Sequence, residues 1–166
     1  MRVEQLRPGE GPRLREVRLR ALQADPDAFW ATYDDEVGFD DARWEQRLAD
    51  PGRASFVGVD PDRPELGDVG IVGVGPGWAD PGVAEIVSFW VDPRVRGRGL
   101  GAALLAAAED WARAAGYPAV RMDVADGNAA AIALYARRSY APTGATSTYP
   151  PPRGHVTEHE RVLRLR

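Results

Sequence analysis

Glycines and arginines are concentrated between an apolar segment and an alanine-rich segment, in the order Arg96-Gly97-Arg98-Gly99-Leu100-Gly101. A glycine-rich loop that opens a helix directs unpaired backbone N–H groups and the positive end of the helix dipole at one point in space. Such a point suits an anion, most often a phosphate. Glycine is the appropriate residue because a Cβ atom would block close approach of a ligand to the backbone. The segment therefore predicts an anion site.

Glu85 is a further candidate, in this case for proton transfer. It lies in an otherwise apolar segment, where partial burial would raise its pKa toward the value of a useful base. The plainer interpretation, a carboxylate that faces solvent at the edge of a strand, stays open.

The elements that position these residues follow from hydrophobic periodicity. An apolar strand is predicted over 83–91, and after the loop a helix of period 3.6 continues to Ala115 and stops at Gly116. Further strands are predicted over 2–7, 54–59, 69–74, 119–124 and 157–165. Further helices are predicted from about Pro12, from Pro26, over 41–48 and over 129–138, and a proline-rich loop over 146–154. This order predicts an α/β (α+β) fold with a mixed sheet and helices on both faces.

Composition narrows the class of protein. The 166 residues suffice for one domain, 1–166, with its own core, and the net charge of -4 gives no basic field for nucleic acid. The absence of cysteine excludes a disulfide, a thiolate metal site and a cysteine nucleophile. No apolar run has the length of a membrane span and the first residues lack a signal-peptide core, so we expect a cytoplasmic protein with no membrane partner. His155 and His159 lack metal-ligand spacing, so no metal is predicted.

Two interpretations of the glycine loop compete. Residues 97–102 match the dinucleotide fingerprint G-x-G-x-x-G/A, with Asp123 as a ribose carboxylate. Against this, residues 92–96 separate the strand from the glycines, and little chain follows for a nucleotide-binding array. The pattern Arg/Gln-x-x-Gly-x-Gly/Ala is also filled, by Arg96, Gly99 and Gly101. With Val91-Asp92-Pro93 before it, this segment closely resembles the acetyl-CoA motif of the GNAT N-acetyltransferase superfamily.

The resemblance implies a single-domain, mostly antiparallel twisted sheet and an N-acetyltransferase that uses acetyl-CoA. The loop amides would hold the pyrophosphate, and the preceding strand would splay open, pair with pantetheine and polarise the thioester carbonyl through the N–H of Trp90 or Val91. Asn128-x-x-Ala131-x-x-Leu134-Tyr135 is similar to the second motif of the family, which implies that Asn128 contacts the cofactor and that Tyr135 protonates the departing thiolate. A phenol with an ordinary pKa of about 10 is protonated at neutral pH and can donate a proton. A helix cap for Asn128 and a core tyrosine for Tyr135 stay open as plainer interpretations. The implied cofactor-binding residues are Phe89, Trp90, Val91, Arg96, Gly97, Arg98, Gly99, Leu100, Gly101, Ala102, Asn128, Ala131 and Tyr135.

The acceptor implied by the resemblance is a primary amine of a small molecule or peptide, which attacks the thioester directly. Residues 26–36 are similar to a stretch that overhangs the acceptor site in a GNAT subgroup, which implies roles in substrate binding for four residues, with plain core packing as the open alternative. These residues are Phe29, Thr32, Tyr33 and Glu36. The aromatic rings would suit an apolar or cationic amine. The base stays open between Glu85, Glu36 and a water chain.

Two other functions are weighed against this one. A catalytically silent module that binds acyl-CoA as a sensor would need the same loop but not Tyr135, and a nicotinamide-nucleotide protein would need the dinucleotide interpretation. The resemblance also allows a homodimer. Ser139 stands where the family usually has glycine, so this residue must accept a conformation that glycine takes more readily.

Overall fold

The computed structural model describes residues 1–166, which form one seven-stranded sheet and its covering helices. The strands are β1 (Arg2–Gln5), β2 (Ala54–Val59), β3 (Asp68–Pro76), β4 (Ala84–Val91), β5 (Ala119–Ala125), β6 (Ala141–Thr148) and β7 (Thr157–Arg164). The helices are α1 (Gly11–Ala24), α2 (Tyr33–Glu36), α3 (Asp41–Ala49), α4 (Leu100–Ala114) and α5 (Ala129–Arg137). No helix combines the length and apolar character that crossing a membrane requires.

The sheet has the order β1-β2-β3-β4-β5-β7-β6, and every neighbouring pair is antiparallel except β4 and β5. Alternate residues of a strand point to opposite faces, so Phe56 of β2 packs in the core beneath α4, whereas its neighbour Val57 packs in the core beneath α1. The prediction of a mixed, mostly antiparallel sheet with helices on both faces is confirmed.

β4 and β5 part in the middle of this sheet. Their pairing covers only Ala84 with Val120 and Glu85 with Arg121. β4 is also irregular against β3, where the register shifts between Ile71 and Gly73 and Ser88 takes a φ of 58°. Beyond Glu85 the edge of β4 that faces β5 is left without a strand partner, and the sheet opens into a V. This is the splay that the family resemblance implied.

The long helix α4 forms as its sequence predicts. Leu104, Leu105, Ala108 and Ala112 are fully buried on one face, each at 0% exposure. At the C-terminus Gly116 has a φ of 84° and its N–H donates to the carbonyl of Arg113, while the next N–H donates to Ala112. These two bonds are the Schellman arrangement, which needs a left-handed residue after the helix. Gly116 therefore ends the helix, as predicted.

The predicted helix from Pro26 is wrong in extent. A single 3₁₀ turn covers Pro26–Ala28, Phe29 is extended, and the separate helix α2 begins after Thr32. The break has a local cause, since the Thr32 hydroxyl accepts from Asp35 N–H and the Asp35 carboxylate accepts from Thr32 N–H. This capping box starts a new helix instead of continuing the old one.

The arginines of α1 do not form a solvated face. Arg18 is only 7% exposed and donates to the carboxylate of Glu36 through Nε (3.1 Å) and Nη2 (2.9 Å). Arg13 makes a similar two-nitrogen contact with Asp68, and Arg20 donates to the carbonyls of Leu66 and Asp68. These arginines fasten α1 to α2 and to the start of β3, which periodicity on α1 alone cannot show.

The predicted loop over 146–154 lies partly in a strand. β6 continues to Thr148, and the connection to β7 covers residues 149–156. β6 is the edge strand and all eight of its residues are exposed, so no alternation of apolar and polar residues marks it. The three consecutive prolines, 150–152, follow the strand and lie in the connection to β7, where a proline-rich loop was predicted.

Candidate active site

A cleft of about 1160 Å³ opens where β4 and β5 part. This volume exceeds the roughly 300–1,000 Å³ of ordinary small-molecule pockets, which suits an extended ligand. The lining comes from four regions. They are the end of α1 with the turn after it, the splayed part of β4 with the glycine loop, α5 with the residues before it, and the β6–β7 connection. Of the predicted cofactor-binding residues, the lining includes Phe89, Trp90, Val91, Arg96, Gly97, Gly99, Leu100, Gly101, Ala102, Asn128 and Ala131.

The glycine loop forms one wall of the cleft and has the unpaired backbone N–H groups that an anion site needs. Gly99 is the N-cap of α4 in the left-handed region, with a φ of 87°, and no side chain caps the helix there. The first helical hydrogen bond runs from Ala103 N–H to the carbonyl of Gly99, so the N–H groups of the three residues between them have no partner within the helix. These donors and the positive helix end belong to residues that line the cleft.

Gly101 lies where three elements pack closely together. A Cβ at this position would lie 3.1 Å from Leu134 Cδ2 and 3.3 Å from Phe89 Cζ, which is tighter than ordinary contact. The first turn of α4 therefore lies directly against β4 and α5, and any side chain at residue 101 would have to displace one of them or project into the cleft.

Arg98 does not line the cleft, in contrast to its predicted role. Its Nη1 donates to the Asp60 carboxylate at 2.9 Å, and Asp60 is fully buried at the end of β2. Burial opposes ionisation of Asp60, but the hydrogen bond and charge of Arg98 outweigh it, so the pKa of this carboxyl lies below its ordinary value. The side chain of Arg98 fastens the glycine loop to the sheet instead of facing the cleft.

Asn128 caps a helix and lies in the cleft lining. Its side-chain oxygen accepts from Ala131 N–H at 3.1 Å and so caps α5, and the residue also lines the cleft. Ala131 on the first turn of α5 lines the same wall. A helix cap at the cleft fixes the direction from which α5 approaches the ligand space, so the two interpretations are compatible.

Tyr135 lies behind the cleft wall. The residue is 4% exposed, does not line the cleft and packs between Phe89 and Tyr140, with ring centroids 5.8 and 5.9 Å away. Tyr140 and Tyr149 donate their hydroxyl protons to Glu109 and Glu158, whereas the Tyr135 hydroxyl makes no hydrogen bond within the protein. Burial raises the pKa of Tyr135 well above its ordinary value, so the phenol keeps its proton.

Glu85 occupies the last paired position before the strands part. Its carboxylate accepts from Trp78 N–H at 2.9 Å and lies 3.6 Å from Arg121 Nη2. The residue is partly exposed and is not in the cleft lining. The structure thus places Glu85 at the root of the splay, held by one backbone donor and one arginine.

None of the four predicted substrate-binding residues lines the cleft. Phe29 is 5% exposed and packs beneath the Arg18 guanidinium, 4.8 Å from the ring centroid. Tyr33 packs against the same core and Thr32 is used as the cap of α2. For these three, the alternative of plain packing or capping describes the observed contacts.

Glu36 is a structural carboxylate in this arrangement. It is 3% exposed, accepts two hydrogen bonds from Arg18, and accepts a third from Arg47 Nη1 at 3.1 Å. Burial alone would raise its pKa, but the two arginines outweigh burial and hold the pKa below its ordinary value. A carboxylate held ionised by two arginines and closed off from the cleft is poorly suited to serve as a base.

Part of the cleft lining comes from residues that sequence reasoning did not assign to the site. Ala24 to Ala28 line it from one side, and His155 and Val156 line it from the other. Arg153 joins the two sides, because its guanidinium donates to the carbonyls of Pro26, Phe29 and Trp30. Asp25 precedes the turn at Pro26 but does not cap it with its side chain, which accepts from Trp90 and Arg96. A local sequence pattern cannot predict contacts between residues so far apart in the chain.

Comparison with known families agrees with this geometry. Residues 15–140 match the model of the Acetyltransferase (GNAT) family, which covers the splayed strand, the glycine loop and α5. The chain belongs to this family, whose members use acetyl-CoA as co-substrate. This membership favours the acyl-CoA interpretation of the loop over the dinucleotide one. No match is found among curated protein sequences.

Solved structures share the fold over almost the whole chain. An acetyltransferase of the GNAT family from Streptococcus pneumoniae superposes with a TM-score of 0.76 at 16% identity, covering 98% of each chain. Ribosomal-protein-alanine N-acetyltransferase from Brucella melitensis gives 0.76 at 18% identity, covering 99% of this chain and 100% of that one. Arabidopsis thaliana NAA60, solved with a bisubstrate analogue, gives 0.69 at 18% identity, covering 98% and 96%. At these identities the likeness establishes the fold.

Proposed function

We propose that this protein transfers the acetyl group of acetyl-CoA to a primary amine of a small molecule or peptide. The observation that carries the proposal is the cleft at the splay of β4 and β5, with the uncapped N-terminus of α4 in its wall. Of the solved structures with this fold, one is named for the acetylation of a ribosomal-protein alanine and another holds a bisubstrate analogue. Membership of the acetyltransferase family supports the same reaction class.

The donor half of the cleft fits an acyl-CoA by its shape and its hydrogen-bonding groups. The unpaired N–H groups at the start of α4 suit the diphosphate, and the absence of a Cβ at Gly101 keeps this turn close to β4 and α5. The edge of β4 beyond Glu85 has no strand partner, so its peptide groups are available to an extended amide-containing ligand. Acetyl-CoA supplies the activated thioester, and the chain supplies binding, orientation and proton transfer.

Proton transfer requires a donor for the leaving thiolate and a base for the amine. Tyr135 is our candidate donor, because it is the one of the three most deeply buried tyrosines whose hydroxyl is not committed to a carboxylate, and because burial keeps it protonated. Tyr135 lies behind Phe89, so this role needs the ligand to enter between the two strands. Glu85 at the root of the splay is our candidate base, acting directly or through water.

The test is a turnover assay with acetyl-CoA and a panel of amines, in which free CoA is measured as the product. The panel contains small aliphatic and aromatic amines and short peptides with free α-amino groups. We expect amine-dependent release of CoA and an acetylated amine of the correct mass. Binding of acetyl-CoA without turnover on any amine would instead favour the silent acyl-CoA-binding module, and absence of binding would refute both.

A further inference from the structure

Asp25 is the meeting point of three elements on the cleft wall. The residue follows α1 directly and lines the cleft, with 31% of its side chain exposed. Its Oδ2 atom accepts one hydrogen bond from the indole Nε1 of Trp90 at 2.7 Å and another from Nη2 of Arg96 at 2.5 Å. One carboxylate oxygen therefore joins the end of α1 to the irregular strand β4 and to the loop that precedes α4.

Arg96 is held at a second point by the same strand. Its Nε donates to the carbonyl of Val91 at 2.8 Å, so both nitrogens on one edge of the guanidinium are bound to protein acceptors. Guanidinium is planar and its five N–H donors have a fixed geometry, so two anchored nitrogens determine where the third one points. Nη1 makes no hydrogen bond within the protein, and Arg96 lines the cleft with 45% of its side chain exposed.

The charge balance indicates what Asp25 contributes. A lone carboxylate beside a diphosphate would repel it, but here the Asp25 carboxylate lies against the Arg96 cation, and each charge compensates the other. Asp25 therefore contributes no attraction of its own for an anion. What it provides is a fixed acceptor that limits the motion of Arg96, a side chain that otherwise has several freely rotating bonds.

We propose that Asp25 is a positioning residue for the acyl donor: it orients Arg96 so that the free edge of the guanidinium meets the donor's diphosphate. At the same time its bond to Trp90 ties the end of α1 to the splayed strand. This inference rests on the proposed function, since it assigns a role within the acyl-CoA site. It extends that function to a residue outside the glycine loop and in a different part of the chain.

The experiment measures acetyl-CoA affinity by calorimetry, together with kcat and KM, for five single variants and one double variant. Asp25→Ala removes the acceptor and is expected to weaken acetyl-CoA binding about tenfold, the size of one lost charge-assisted hydrogen bond. Asp25→Asn keeps an acceptor oxygen and loses the charge, so orientation predicts affinity within about threefold of the wild type. The weakening should appear in KM for acetyl-CoA, with kcat at saturating donor little changed.

The remaining variants separate positioning from general damage. Arg96→Ala should weaken binding about as much as Asp25→Ala, and the double variant no more than Arg96→Ala alone, because the two residues act as one unit. Arg96→Lys keeps the charge but loses the two-point anchorage, so it should also bind weakly. Asp34→Ala makes the same charge change at an exposed residue close in sequence and is expected to bind like the wild type.

The results that overturn the proposal are distinct from those that overturn the proposed function. Normal affinity in Asp25→Ala, additive losses in the double variant, or equal losses in Asp25→Asn and Asp25→Ala would each show that Asp25 does not act by orienting Arg96. If Asp25→Ala failed to fold, normal binding by Arg96→Lys would overturn the proposal by itself. Failure of the wild-type protein to bind acetyl-CoA would overturn both the inference and the proposed function.

Discussion

Glu36 was a candidate for acceptor binding and for the base, and the structure makes it instead a stability element whose removal can be measured. Its carboxylate side chain is 5% exposed and lies against Arg18, whose side chain is 8% exposed. Two hydrogen bonds of 3.1 and 2.9 Å join the pair, and Arg47 adds a third of 3.1 Å. The variant Glu36→Gln removes the negative charge and replaces one acceptor oxygen with an NH2 donor, with almost no change in side-chain volume.

The expected loss is large because Arg18 has no other anion to compensate it. Breaking a buried ion pair by removing one partner typically costs about 3–5 kcal/mol, since the remaining charge stays buried. For a chain of this length one kcal/mol corresponds to roughly 2–4 °C in Tm, so the expected decrease is about 6–20 °C. Arg47→Ala is the matched control. Its side chain is 37% exposed, so its contribution should be about 0–1 kcal/mol.

Acid should have a related effect on the wild-type protein. The folded-state pKa of Glu36 lies below its unfolded value, because the arginine contacts outweigh burial. A depressed pKa contributes stability that is fully present above the unfolded pKa of 4.5 and is lost as the pH falls through the lower folded value. Glu36→Gln should therefore lose less stability than the wild type between neutral pH and pH values below about 4.5.

The assay is thermal and urea unfolding of the two variants and the wild type across this pH range, with acetyl-transfer activity measured well below each Tm. A change of less than about 1 kcal/mol in Glu36→Gln would refute the assignment of Glu36 to the ion pair. An unchanged Tm with a severe loss of turnover would restore Glu36 as the base or an acceptor contact.

Three further predictions concern other parts of the structure. Tyr135→Phe should lower kcat by about 10²-fold or more while leaving the Kd for acetyl-CoA unchanged, as a proton donor would; unchanged turnover in steady-state assays would remove the role. Gly101→Glu should abolish acetyl-CoA binding in calorimetry while circular dichroism still shows a folded protein, because the side chain would add bulk and negative charge beside the N-terminus of α4; normal binding would exclude this loop as the diphosphate site. Glu109→Gln should destabilise the protein by about 1–3 kcal/mol in urea unfolding, since the 2%-exposed carboxylate accepts from Arg138 and Tyr140; a stability equal to the wild type would show that the network contributes no net stabilisation.

The part of the cleft formed by the glycine loop and the start of α5 was accessible from the sequence, because the residues that determine it are close together in the chain. The glycine loop, the apolar face of α4 and the Asn128 cap each depend on residues within a few positions of one another, and the structure contains all three where the sequence predicts them. Ser139, which follows α5 at a position where the family usually has glycine, likewise takes a left-handed conformation with a φ of 67°. Where a residue type is dictated by its own backbone conformation, neighbouring residues are enough to predict it.

The rest of the cleft lining and the packing around it were not accessible from the sequence, because contacts between distant segments decide them. The partner of Arg18 is Glu36, on another helix, and Arg153 reaches the turn at Pro26 from the β6–β7 connection. An arginine on a helix face gives the same local pattern whether it meets water or a buried carboxylate. Strand β6 was not predicted from the sequence for a different reason. All of its residues are exposed at the edge of the sheet, so its sequence lacks the alternation of apolar and polar residues that marks a strand.

The contacts of Arg153 show that residues far apart in the sequence build the cleft. The family match ends at residue 140, yet His155 and Val156 belong to the same cleft, and Arg153 spans 127 positions of sequence to reach Pro26. This part of the cleft lining is thus assembled from two stretches that carry none of the glycine-loop residues. Substitutions in these two stretches at positions other than Asp25 can change the shape of the cleft while every residue of the glycine loop stays the same. Under the proposed function, the choice of amine can therefore evolve separately from the backbone groups that bind the acyl donor.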